Sequence, residues 1–352
     1  MKIFVPAVGQ EENIGDIILR RPLLDWLRES GDLHVYLGHC DTAYETALGL
    51  SPSDRVYRSF ARWYIALLAS AVRRRRMAYA FKPGEIQMTL SGMKEHIAVL
   101  PVTAVMRMRR HPIVRVGAGT RDFNRFFAAI LRLGSRLTPG ARWRDTGTAA
   151  ALKGATMPDL AFAEGATEEE MQDEGPRDLV VVSMRGDRPA DHGPLVAATK
   201  RFAATQGYDV VVVSQVLRDN ALAESLAHLL DAEVQTFGEN EHSSQEQRVR
   251  GTYRRAAVVV SDRLHVLIAA VTEGASLVGI QSDGSKKLER HFQAAGVQAE
   301  CLALDSAEEA ENVLLEQLEI QRDRRRIFVD GVVRARSNLA DVRQGVLTTC
   351  RG

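Results

Sequence analysis

Residues 256–270 read AAVVVSDRLHVLIAA, and the fold class follows from them. Ala256 to Ser261 is a short, continuous apolar run rich in Val, which suits a strand buried on both faces of a parallel sheet. Leu264 to Glu273, directly after it, has helical period. Between the two apolar segments stand Asp262, Arg263 and His265, residue types that a chain concerned only with its core would not place together. They fall at the carboxyl edge of a sheet, where strand turns into helix.

The same grammar repeats on either side. Leu179 to Met184 (LVVVSM), Asp209 to Gln215 (DVVVVSQ) and Ser276 to Gln281 (SLVGIQ) read as strands of the same kind. Pro194 to Thr205, Ala221 to Leu230 and Ser244 to Arg255 read as the helices between them. Strand alternating with helix implies right-handed crossovers and a doubly wound α/β sheet. The first half starts alike: Ile3 to Val8 is a strand, Ile17 to Glu29 an amphipathic helix and Leu33 to Leu37 a second strand. Ile97 to Leu100 and Ile113 to Val116 are weaker strand candidates. Glu164 to Arg177 (EGATEEEMQDEGPR) is acidic, holds Gly and Pro and lacks apolar period, which is linker composition.

The expected fold is α/β, with two doubly wound Rossmann-like domains facing a cleft. Their bounds are residues 1–165 and 178–320, with a linker over 166–177. The chain from Ala307 on reads as mostly helical (Glu308 to Leu318, then Val329 to Val346), and its helical segment over 321–352 is expected to pack back on the first domain. Ligands in such sheets bind outside the carboxyl ends of the strands.

Composition narrows the function classes. With 46 Lys and Arg against 45 Asp and Glu, the chain lacks the basic excess of a nucleic-acid binder. Cys40, Cys301 and Cys350 are odd in number and far apart, which argues for a reducing, cytoplasmic setting and against a disulfide framework. No Cys/His cluster calls for a metal. The opening Met1-Lys2-Ile3-Phe4-Val5-Pro6 is too short an apolar run for a signal peptide. Trp63 to Val72, followed by Arg73-Arg74-Arg75-Arg76, is too short to span a bilayer. Over residues 63–76 two readings stand: a packed helix whose positive end complements its dipole, and peripheral contact with an anionic membrane at its inner face.

Several residues carry chemistry by type and place. A guanidinium such as Arg263 makes paired hydrogen bonds to carboxylate or phosphate, and the His265 imidazole moves protons near neutral pH. Ser261 or Asp262 can instead cap the helix that follows. Arg185 ends an apolar strand, where a charge faces the ligand edge. Gly15 permits a tight turn between the first strand and helix; Asn13 or Asp16 either caps that helix or touches substrate. Helix amides beneath such a turn also welcome anions. Lys286 and Lys287 precede a helical stretch and are either solvated or directed at an anion.

SDRLHVLIAAVTEGASLVGIQSDGSKK is similar to the C-terminal signature of polysaccharide pyruvyl transferases, with Gln281-Ser282-Asp283 before the two Lys. Further stretches agree in order. Asn13-Ile14-Gly15-Asp16 resembles the family's N-x-G-D opening. Trp143-Arg144-Asp145 with Thr146-Gly147-Thr148 resembles its R-D-then-Ser segment. Pro158-Asp159-Leu160-Ala161-Phe162 resembles its D-P-A-F segment, and Val181-Val182-Ser183-Met184-Arg185 the strand that delivers an Arg. The family's Gly-rich stretch is reduced here to Val116-Gly117-Ala118-Gly119.

The resemblance implies the GT-B architecture and transfer of the enolpyruvyl group of phosphoenolpyruvate onto two sugar hydroxyls, giving a cyclic pyruvate ketal and phosphate. It implies His265 as the catalytic acid/base, with Arg263, Arg185, Lys286 and Lys287 binding the donor. Asn13, Gly15, Asp16, Arg144, Asp145, Gly117, Gly119 and Ser261 become substrate or phosphate-loop candidates. No tightly bound cofactor and no metal are called for; phosphoenolpyruvate is a co-substrate and the partner is a sugar acceptor, free, nucleotide-linked or lipid-linked. Two alternatives stand beside this reading: a GT-B glycosyltransferase using a nucleotide sugar, and a non-catalytic sugar-binding relative.

Overall fold

The Val-rich runs of the second half are strands of one parallel sheet. The computed structural model describes residues 1–73, 76–120, 123–173, 175–187, 190–238, 242–281, 286–303 and 307–352. Contacts divide the chain into two units. One comprises Met1–Glu11, Asp16–Leu160 and Ser337–Gly352, the other Glu12–Gly15 and Ala161–Arg336.

In chain order the first unit carries β1 (Lys2–Pro6), β2 (Asp32–Tyr36), β3 (Arg55–Tyr57), β4 (Met77–Ala80), β5 (Gly84–Ile86), β6 (Ile113–Val114), β7 (Ala118–Thr120), β8 (Arg142–Trp143) and β9 (Ala155–Thr156). A five-stranded parallel sheet has the order β3-β2-β1-β4-β6, and β5-β7-β8-β9 form a smaller parallel sheet. The larger sheet buries Phe4, Tyr79 and Phe81 against Trp63 and Leu67 of helix Phe60–Val72 and Val99, Val102 and Met106 of helix Leu90–Met108.

The second unit carries β10 (Leu179–Ser183), β11 (Asp209–Val213), β12 (Glu233–Gln235), β13 (Ala256–Ser261), β14 (Ser276–Ile280) and β15 (Glu300–Leu302). Every neighbour pair is parallel, in the order β12-β11-β10-β13-β14-β15. This is the doubly wound order in which the chain reverses direction across the sheet between its first and fourth strands, here β10 and β13. The crevice at that switch point is where such sheets take ligands. All residues of β10, β13 and β14 are buried, as continuous apolar runs require when helices cover both faces.

Three local expectations are corrected. Ile97 to Leu100 is not a strand but lies inside helix Leu90–Met108. Its apolar run continues through Pro101, yet Met93, His96, Val99, Val102 and Met106 are the buried positions, at helical spacing. Ile17 to Glu29 is not one helix: Ile14–Ile18 ends before a second helix, Arg21–Arg28, which has Pro22 in its first turn. The stretch from Glu164 to Arg177 is not linker throughout. Thr167 and Glu170 form a reciprocal cap that starts helix Glu168–Gln172.

The charged C-terminal stretch does more than meet solvent. Arg325 donates to the carbonyls of Gly274, Met171 and Asp173. Arg336 donates to those of Phe162, Glu164 and Ala166. Both arginines bind backbone carbonyls in turns and near helix ends. Helix Arg325–Arg351 supplies residues to each unit.

Candidate functional site

Ser183 of β10 and Ser261 of β13 are paired in register. Two residues beyond each comes an arginine, so Arg185 and Arg263 leave adjacent strands at the same level, on the switch-point edge. Ser261 ties the two strand ends together. Its hydroxyl donates to the Ser183 carbonyl at 2.5 Å and accepts the Arg263 amide at 3.0 Å. The Asp262 carboxylate accepts the Arg185 amide at 3.0 Å. Thus Ser261 and Asp262 bridge the strand ends, and neither hydrogen bond caps the helix Leu264–Val271, whose N-cap residue is Arg263.

Each arginine is held by an aspartate along one edge. Arg185 donates from Nε and Nη2 to the two oxygens of Asp187, at 2.9 and 2.8 Å. Arg263 donates from Nη2 to Asp219 Oδ1 at 2.6 Å, with its Nε against Oδ2. Asp219 Oδ1 also accepts the Gly186 amide at 2.9 Å. In both guanidiniums the Nη1 edge takes no partner among the described residues, so each keeps two N–H groups in a fork that fits a carboxylate or phosphate. The paired carboxylates hold the arginines in place before any ligand arrives.

The electrostatics follow from burial and pairing. Beside Arg185, the Asp187 carboxyl sits well below the usual carboxylate range, and the same pairing raises Arg185. Burial pushes Asp262 up to about 6, although Arg263 and Arg185 oppose the rise. Asp262 therefore changes charge near working pH, whereas Asp187 stays ionised.

His265 is in the first turn of the helix after β13. Its neighbour comes from the far end of the chain. Glu12–Gly15 belongs to the second unit: Ile14 donates to the Gln215 carbonyl at 3.2 Å, Leu217 donates to that of Glu12 at 3.1 Å, and Asn13 bridges Val216. Asn13 Oδ1 accepts the Gly15 amide at 2.9 Å. This turn places Gly15 so near His265 that a Cβ there would lie 2.8 Å from the ring Nδ1.

Each remaining sequence candidate has local partners of its own. Asp16 belongs to the first unit, accepts the Gln10 amide at 2.7 Å and pairs with buried Arg20 at 3.2 Å. Arg144 forms a fully buried ion pair with Asp159 at 2.8 Å. Asp145 caps helix Thr146–Leu152, accepting the Thr148 amide and hydroxyl. A Cβ on Gly119 would meet Asp145 Oδ2 at 2.5 Å, and Gly117 has φ +72° against Leu160. These four, Arg144, Asp145, Gly117 and Gly119, lie in or beside strands β7 and β8 of the small sheet of the first unit. Lys286 is exposed, with its ammonium 3.9 Å from Glu289, while Lys287 opens helix Lys287–Ala295. Ser282 to Ser285, with Arg188 and Pro189, lie outside the described residues.

Asp219 is the site residue that sequence reasoning missed. Its signal was the one that marked Arg185: a charge just past the carboxyl end of a buried strand, here six residues after Val213 in the turn Leu217–Asp219.

The chain resembles Acinetobacter baumannii MurG, at 12% identity over 98% of each chain and a TM-score of 0.51. It resembles a Neisseria meningitidis UDP-GlcNAc 2-epimerase, at 10% identity over 97% of this chain and 99% of the other, with a TM-score of 0.58. Anabaena HepE, solved with UDP-glucose, matches at 12% identity over 99% of each chain, with a TM-score of 0.54. At such identities the likeness shows the fold, which is GT-B. No curated protein matches the sequence. The family model of polysaccharide pyruvyl transferase matches residues 13–284, from the Asn13 turn through β14 and the site residues between them, and the chain belongs to that family.

Proposed function

We propose that the protein transfers the enolpyruvyl group of phosphoenolpyruvate to two hydroxyls of a sugar, forming a cyclic pyruvate ketal during glycoconjugate or exopolysaccharide synthesis in the cytoplasm. The observation that carries this is the pair of clamped arginines, Arg185 and Arg263, side by side at the switch point with His265. Phosphoenolpyruvate has a carboxylate and a phosphate on one carbon. Two guanidinium forks at the ends of neighbouring strands supply a cation for each group.

The chemistry balances without a further reactant. An acid protonates the methylene carbon, and the central carbon becomes an oxocarbenium-like electrophile. One hydroxyl oxygen attacks it and gives up its proton to the base. The carbon–oxygen bond to phosphate breaks, a second hydroxyl closes the ring, and its proton leaves with the phosphate. His265 serves as the acid and then the base. Lys286 and Lys287 add positive charge near the donor's phosphate, and the acceptor is a free, nucleotide-linked or lipid-linked saccharide.

A nucleotide-sugar donor is the competing reading, since the solved relatives include one holding UDP-GlcNAc and one holding UDP-glucose. Calorimetric titration with phosphoenolpyruvate, UDP and GDP separates the two. Under the proposal only phosphoenolpyruvate binds. Arg263→Ala costs about 2–5 kcal/mol of that binding. His265→Ala keeps binding and loses phosphate release in the presence of an acceptor diol. Binding of a nucleotide without phosphoenolpyruvate would overturn it.

A further inference from the structure

Charge is distributed unevenly along this nearly neutral chain. Residues 60–136 hold 15 Lys and Arg against three Asp and Glu, whereas the rest holds 31 against 42. Three helices of the first unit lie within this basic stretch. Helix Phe60–Val72 packs on helix Leu90–Met108, where Tyr64 donates to the Ala98 carbonyl at 2.8 Å, and that helix packs in turn on helix Arg125–Arg136.

Each helix buries one face and leaves an apolar stripe outside. On the first, Ile65, Leu68 and Val72 are 65%, 40% and 50% exposed, at spacings of one helical turn. On the second, Leu90, Ile97 and Met108 are exposed at spacings that return to one face. On the third, Phe126 is 67% and Leu133 47% exposed, two turns apart. Exposed bases accompany every stripe: Arg62 and Arg73 on the first, Lys94 and Arg107 on the second, Arg132 and Arg136 on the third. The one acid within the three helices, Glu95, is ion-paired with Lys82 at 3.3 Å and its side chain is only 15% exposed.

Scattered exposed apolar residues are ordinary, but a stripe flanked by bases on each of three successively packed helices is not. Nucleic acid would use the charge and leave the apolar side chains without a role. An anionic bilayer surface uses both, because apolar side chains enter the headgroup boundary while the arginines meet lipid phosphates. No helix among the described residues is long and apolar enough to cross a membrane, which leaves attachment in the plane of the surface. We propose that the outer face of helices 60–72, 90–108 and 125–136 docks the protein on an anionic lipid surface. This extends the contact expected over residues 63–76 to three helices and does not depend on which donor the second unit binds.

Vesicle co-sedimentation tests it with the full chain, using phosphatidylcholine alone and phosphatidylcholine with phosphatidylglycerol. The wild-type protein is expected to sediment with the anionic vesicles, to stay in solution with the neutral ones, and to be released by high salt. The pairs Ile65→Ser with Leu68→Ser, Phe126→Ser with Leu133→Ser, and Arg132→Gln with Arg136→Gln should each lower partition about tenfold. All substituted side chains are exposed, so thermal midpoint and phosphoenolpyruvate binding should stay at wild-type values. No sedimentation with anionic vesicles overturns the proposal, as does binding that the apolar pairs leave intact. Gel filtration supplies the last arm: a dimer abolished by the same pairs would make the face a contact between two copies instead.

Discussion

Gly15 and His265 are 250 positions apart in sequence, yet a single methyl group on Gly15 would collide with the imidazole, at 2.8 Å from both its Nδ1 and its Cβ. The contact exists because Glu12–Gly15 is hydrogen-bonded to the strand end at Gln215 and Val216 and belongs to the second unit. Asn13 fixes the turn by accepting the Gly15 amide. A motif at the start of the chain therefore packs directly against the proposed acid/base.

Gly15→Ala is expected to displace the ring, since the added Cβ meets Cβ as well as the ring nitrogen and the helix backbone cannot yield. Misplacing a catalytic group by about 1 Å costs on the order of 100-fold in rate. Steady-state kinetics should show kcat falling by that order with the thermal midpoint nearly unchanged; unaltered kcat would separate Gly15 from the chemistry.

Asp219 grips Arg263 and the Gly186 amide together. Asp219→Asn keeps an oxygen for the amide and loses the charge partner of the guanidinium. The expected result is a KM for phosphoenolpyruvate raised roughly 10-fold or more with kcat within a few-fold of wild type. Asp219→Ala removes the partner of the Gly186 amide and of the half-buried Arg263 guanidinium, and should cost about 1–3 kcal/mol of stability in urea unfolding.

Asp262 gives a pH dependence with a definite sign. Its carboxyl takes a proton at about 6 in the folded protein against 3.8 for the ordinary group. Between those values the folded state binds more protons than the unfolded one, so stability falls as pH rises through that window, and the cost is complete above pH 6. Asp262→Asn, which can still accept the Arg185 amide, should stabilise by roughly 1–3 kcal/mol at pH 8 and by nearly nothing at pH 4. Urea titrations at the two pH values check it; equal effects at both would remove the burial argument.

Arg144 and Asp159 stand for the residues held inside the first unit. Both side chains are almost wholly buried at 2.8 Å from each other. Asp159→Asn leaves a buried guanidinium without its counter-charge and should destabilise by about 3–5 kcal/mol. Arg144→Met together with Asp159→Leu should recover most of that loss. The thermal midpoints of the single and double variants decide it.

Much of the second unit could be read from residue order alone. Continuous Val runs must be strands covered on both faces, so β10, β11, β13 and β14 and the placement of Arg185, Arg263 and His265 at strand ends followed directly. The first unit was harder for a physical reason. Its strands β5 to β9 are two or three residues long, too short to leave a period, and helix Leu90–Met108 is apolar enough around Pro101 to resemble a strand. Residue types gave Asn13, Gly15, Arg144 and Asp145 equal standing, because each sits at a turn and local spacing carries no long-range information. Only the tertiary structure gave them their partners, seating the Asn13 turn against His265, pairing Arg144 with Asp159 and setting Asp145 as the cap of a helix. It alone supplied Asp219, whose meaning lies in which guanidinium it meets across 44 residues of chain. The sequence thus determined the fold class and the charges at the ligand edge, through periodicity and residue chemistry. Which of those charges face one another was decided by strand order and register, and these come from the packing of segments far apart in the chain.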